Sequence, residues 1–179
     1  KELLELINNP ETLTPIMIEN PKHMQRSTHV FDRGDWTSKG EEVTAGTPEF
    51  LNNWDNEWEK NRLGLAKWIV SEENPLTART LINRVWYQLF GRGIVSTIED
   101  MGTQSEPPSH PALLDWMAVN FIESQDWKLK SLMRSIVLSG TYRQSSKINK
   151  EKQQIDPKNE YYARGPKLRM SAEEIRDQT

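Results

Sequence analysis

Cysteine is absent from the 179 residues. That removes disulfides, thiolate metal sites and a C-x-x-C-H haem attachment from this segment. It does not identify a compartment, because cysteine-free proteins occur in oxidising and reducing surroundings alike. No apolar run approaches the roughly 18 residues that suggest a membrane span. Histidine is scarce: His23, His29 and His110 form no H-x-x-x-H or H-E-x-x-H pair, so no metal site is expected. Asp32 and Asp35 flank Arg33-Gly34 without the ligand series of a calcium loop, and read as turn-stabilising side chains. Phosphate-cradling glycine motifs and the G-x-S-x-G elbow are missing as well. Positive charge is not in excess. A net charge of −3 and a pI near 5.7 give no global pull toward nucleic acid or an anionic membrane. The basic stretch Lys147–Lys152 is broken by Glu151 and carries no interleaved aromatics, as a solvated loop would.

What is present is a polar chain with a real core. Apolar residues make up 35%, charged residues 27%, and the mean hydropathy is −0.77. The length suffices for one domain and is short for two. It begins with Lys1 rather than Met and stops at Thr179 inside a helical pattern, so a piece of a longer polypeptide is expected. Seven tryptophans are many for this length.

The strongest pattern is NPLTARTLINRVWYQLF at 74–90, closed by Gly91-Arg92-Gly93. Asn74 suits an N-cap and Pro75 the first helical position. Leu76, Leu81, Ile82, Val85, Trp86 and Leu89 recur at helical spacing on one face, and Gly91 or Gly93 can end the helix in the left-handed conformation. Before it, KELLELINNP reads as a helix end with Leu3, Leu4, Leu6 and Ile7 on one side. TLTPIMIEN and STHVFDRGDW read as short extended segments, and Thr37–Glu59 as an irregular wrapping loop with Trp54 and Trp58 as anchors. Asn61–Val70 predicts a helix placing Leu63, Ala66, Trp68 and Ile69 inward. Ser109 is the expected N-cap for His110–Glu123, with Leu113, Leu114, Met117 and Phe121 inside. Lys128–Leu138 predicts another, with Leu129, Leu132, Met133 and Ile136 inside. The stretch after Gly140 reads as a polar excursion, and Ser171 with Glu174 as a capping box for a last helix. The fold class is therefore mainly α: one helical domain over 1–179, with a minor extended N-terminal portion (1–60), a helical core (61–140), and a polar excursion with a terminal helix (141–179).

Two constellations could carry chemistry. Arg79, Asn83, Arg84 and Arg92 form an unusually polar set on and just beyond the main helix. Guanidinium forks suit carboxylate, phosphate or sugar oxygens, so the set is a candidate binding ridge. The competing reading pairs Arg79 and Arg84 with Glu99, Asp100 or Asp115. Ser109-His110-Pro111 followed by Asp115 and Trp116 is the second: His110 titrates near neutrality and Asp115 could orient it. Spacing of five residues is awkward for direct contact on a helix, and a capping or packing role is the alternative. Asp100 is a further acid/base candidate. Among the tryptophans, Trp68, Trp86, Trp116 and Trp127 lie in helical contexts suited to burial. Trp36, Trp54 and Trp58 lie in loop-like sequence, where they can stack on a sugar or pin the loop to the helices.

R-x-x-L-A-x-W from Arg62, N-P-L-T-A-R at 74–79, N-R-V-W at 83–86, G-R-G at 91–93, P-S-H-P at 108–111, L-L-D-W at 113–116, S-G-T-Y-R at 139–143 and the late L-R-M-S-A-E-E-I-R-D together resemble one family. It is the planctomycete-type surface domain, domain of unknown function 1553. The Arg33-Gly34-Asp35 segment is similar to that family's extended N-terminal motif. The resemblance implies a domain C-terminal in an exported, multidomain protein at the cell surface or in the periplasm. It brings no catalytic residues. It implies sister domains of the same polypeptide as partners, no cofactor in this segment, and haem in another domain. Binding and scaffolding is the role expected. An enzyme domain acting on carbohydrate, and a docking partner for an adjacent haem domain, are the alternatives.

Overall fold

The computed structural model describes residues 15–148 and 150–178. The expected N-terminal helix with Leu3, Leu4, Leu6 and Ile7 lies outside them, as do residues 12–14 of the first extended segment. Among the described residues the chain is mainly helical, with two short strands. It divides into two compact units, one taking in the chain up to Pro48 with Trp54–Lys67, the other Glu49–Asn53 with Trp68–Thr179.

The first unit is built on a hairpin. Strand β1 (Thr28–Phe31) pairs antiparallel with β2 (Lys39–Val43), with an irregularity between His29 and Phe31. The second strand falls inside the stretch expected to be irregular; Lys39–Val43 lacks the apolar alternation that marks a strand, because both its faces are exposed. Arg33 and Gly34 turn the chain with φ of 49° and 79°. Asp35 locks that turn by accepting the Thr37 hydroxyl at 2.7 Å and amide at 2.9 Å. Those two bonds, the hydroxyl first, hold its carboxyl below the ordinary aspartate range. Arg33-Gly34-Asp35 is thus hairpin-turn chemistry. Helix α1 (Arg62–Ile69) starts in this unit and carries Trp54 on its first turn. Gly64 is required there: a Cβ would lie 2.8 Å from the indole and strike the Glu59 carbonyl. Trp54 also meets Trp58 edge to face at 6.1 Å and donates its N–H to the Trp58 carbonyl. The inward face of α1 is Gly64 and Trp68, four residues apart. Leu63, Ala66 and Ile69, expected inside, are exposed.

The second unit holds α2 (Thr77–Phe90), α3 (Pro111–Glu123), α4 (Leu129–Val137), α5 (Lys150–Ile155) and α6 (Ala172–Asp177). Asn74 Oδ1 accepts the amides of Leu76 and Thr77, but the cap position falls to Leu76 and the helix opens at Thr77, so Pro75, expected at the first helical position, precedes it. Gly91 closes α2 at φ 73°. Ala78, Ile82, Trp86 and Phe90 bury one stripe of α2 against Leu114, Met117, Ala118 and Phe121 of α3, with Leu132 and Ile136 of α4 completing the core. Leu129 and Met133, expected inside α4, are exposed. Ser109 does not cap α3. Its hydroxyl and amide both donate to the Ile94 carbonyl, and His110 takes the cap position. The polar stretch beyond Gly140 is no excursion: it forms α5, buries Asp156, and returns Tyr162 to the core. The capping box of Ser171 and Glu174 is present on α6.

Candidate functional site

The residues expected to form a polar ridge on α2 part company in the structure. Asn83 is wholly buried. Its Oδ1 accepts the Val95 amide at 2.9 Å and its Nδ2 donates to the Val95 carbonyl at 3.0 Å. Both orphan backbone groups of Val95 are therefore satisfied by one amide side chain, which also fixes which end of Asn83 is oxygen. The segment lies so close that Gly93 has no room for a side chain; a Cβ would sit 2.8 Å from Asn83 Oδ1. Arg79 reaches across to α3, with Nε 2.7 Å from Asp115 Oδ1 and Nη1 on the Pro75 carbonyl. Arg92 pairs with Glu160 at 2.6 Å. Arg84 is the mostly exposed member, 3.7 Å from a still more exposed Glu99. At such exposure each of these ion pairs contributes about 0–1 kcal/mol.

The second constellation also separates. Asp115 turns to Arg79, whereas His110 turns away to the aromatic residues of the C-terminal stretch, 5.5 Å from Tyr162 and 6.2 Å from Tyr161 between ring centroids. Its Nδ1 lies 3.0 Å from the Ser109 hydroxyl. Asp100 closes a local turn, its Oδ1 accepting the Gly102 amide. A cleft of about 400 Å³ does open between the start of α2, the 95–108 segment and the start of α3. Leu76, Met101 and Pro108 give it apolar walls; Arg79, Glu106 and Asp115 supply its charge. Arg84 and His110 are not among its lining residues. Among the described residues, no three of His, Asp or Glu cluster so as to hold a metal ion. No helix there is long and apolar enough to cross a membrane.

Tyr162 is the residue that sequence reasoning missed. It packs edge-on against Trp86 and Phe90, both at 5.3 Å, and donates to the carbonyls of Gly93 and Arg92. Burial pushes its phenol above the usual tyrosine range. Its backbone is left-handed, φ 52°. The turn that brings it inward is knotted by Asp156, whose two oxygens accept the amides of Glu160 and Tyr161, and by Asn159, bonded both ways to Arg164. Asp156-Pro157 followed by Asn159 is the turn signature that could have revealed it. Of the tryptophans, Trp116 departs from expectation: it is 61% exposed on α3. Trp54 and Trp58 are half-buried, as loop anchors should be, and Trp36 is exposed.

No curated protein and no solved structure matches this chain. A family pattern does, over residues 61–179, a span that takes in all six α-helices found among the described residues. The chain belongs to the family described as protein of unknown function (DUF1553).

Proposed function

We propose that the helical unit is a binding and scaffolding module of an exported multidomain protein, acting at the cell surface or in the periplasm, and that it docks a sister domain of the same polypeptide. The observation that carries this reading is the division of labour on α2. Asn83 and Arg79 on the helix, and Arg92 just beyond it, are bonded within the fold to Val95, Asp115 and Glu160, while Arg84 meets Glu99 only at 3.7 Å, with both side chains more than half exposed. A rim cation of that kind adds electrostatic selection to a docking surface rather than large affinity. Haem, under the same reading, belongs to another domain of the polypeptide, and exposed Trp116 is the contact such a domain would use.

The test is association of this chain with the separately produced remainder of its polypeptide, measured by titration calorimetry. Arg84→Glu is expected to weaken it about tenfold, with the helical content unchanged. Association within twofold of the unsubstituted chain rejects the Arg84 surface. The cleft at Asp115 favours a second reading, carbohydrate hydrolysis, since Asp115 and Glu106 both line it. Release of reducing ends that Asp115→Asn abolishes would establish it.

A further inference from the structure

The first unit contains a larger opening than the helical one, a cleft of about 720 Å³ between the hairpin and the start of α1. Its lining is unlike that of an apolar groove. Trp54 presents an indole among Gln25, Arg26, Thr28, Glu42 and Lys60, with the Glu19–Arg62 ion pair at 3.2 Å completing the wall. We infer that this cleft binds carbohydrate, with Trp54 as the stacking platform for a sugar ring.

Four observations point there. The indole N–H of Trp54 is already committed to the Trp58 carbonyl at 3.1 Å, so what remains of the side chain for a ligand is its aromatic surface. The ring is also held in place before any ligand arrives, wedged on Gly64 at a position no side chain could occupy and braced by the edge of Trp58. A preset platform binds without the entropy loss of ordering a free side chain. Around it the polar groups mix donors and acceptors of both charges. Sugar hydroxyls, of neutral sugars and uronates alike, donate and accept at once, whereas a ligand recognised through a phosphate or carboxylate only would call for donors alone. The volume lies in the range of ligand sites and accommodates more than one ring. All of these residues belong to the first unit, so the inference stands apart from the docking role of the helical unit.

The experiment is calorimetric titration of the full chain with cellohexaose, xylohexaose, hexa-N-acetylglucosamine and hexagalacturonate. At least one is expected to bind. Preference for the galacturonate assigns charge selection to Arg26 and Lys60; preference for a neutral oligomer assigns recognition to hydroxyls. Trp54→Ala is expected to weaken binding about tenfold or more. Because Trp54 also packs on α1, Arg26→Ala is the companion variant: Arg26 is exposed and plays no part in seating the indole, and its loss is expected to weaken binding about threefold. Binding of none of the four, or binding unchanged within twofold in both variants, overturns the inference.

Discussion

Replacing Asn83 by Leu is expected to be among the most damaging single changes in this protein, although Leu is about the same size and a better helix former. Asn83 bonds both backbone groups of Val95, and the site is closed to water. Leucine leaves a buried N–H and a buried C=O without partners, each costing about 1–3 kcal/mol. The close approach of Gly93 leaves no slack to absorb the branched carbon. A total of about 4 kcal/mol is a large share of a typical 5–15 kcal/mol stability. Thermal unfolding is expected about 10 °C or more lower, measured by circular dichroism. Asn83→Asp keeps the shape but turns a carboxylate oxygen toward the Val95 carbonyl, and is expected to be similarly destabilised. If Asn83 served a ligand instead, either variant would retain its stability.

Tyr162→Ala is the second large effect, about 3–5 kcal/mol, because it empties the space between Trp86, Phe90 and His110 and frees the C-terminal stretch from the carbonyls at 92–93. Tyr162→Phe separates the ring from the hydroxyl and is expected to cost only about 1 kcal/mol at neutral pH. The two variants also differ in alkali. The native phenol holds its proton above the pH near 10 at which the unfolded chain releases it. Native protein thus binds more protons than unfolded protein in that window, and stability falls as pH rises from the unfolded pKa to the folded one. Tyr162→Phe removes this contribution. Denaturant midpoints compared at pH 8 and pH 11 should show a smaller alkaline loss in the phenylalanine variant.

The helices from Arg62 to Val137 were legible because each carries period and punctuation together: Asn74-Pro75 before α2, Gly91 after it, Pro111 at the start of α3. Their inward residues were legible best on α3, where Leu114, Met117 and Phe121 are buried as expected; of the six expected on α2, Ile82 and Trp86 are buried, Leu81, Val85 and Leu89 partly so, and Leu76 is exposed. On α1 only Gly64 and Trp68 face inward, and a glycine gives no hydrophobic signal. Strand β2 was hidden for a related reason, since a strand exposed on both faces has no alternation to read. The polar ridge shows a different limit. Helical spacing places Arg79, Asn83 and Arg84 near one another on α2, and the alternative pairing of the two arginines with Glu99, Asp100 or Asp115 is what the structure shows, Arg79 on Asp115 and Arg84 on Glu99; the backbone partner of Asn83 at Val95 was not legible. Long-range pairings of that kind are set by the tertiary path, and so is the return of Tyr162, which local polarity disguised as a loop.

The absence of cysteine makes one measurement direct. Arg84→Cys introduces a unique thiol into this chain at the position proposed to face the sister domain, and Trp116→Cys does the same on α3. Nitroxide labels at the two sites should both be mobile in the isolated chain, since both side chains are exposed. On addition of the remainder of the polypeptide, the label at 84 should become strongly immobilised. Mobility at 84 unchanged by a stoichiometric complex would contradict the docking role of this helix.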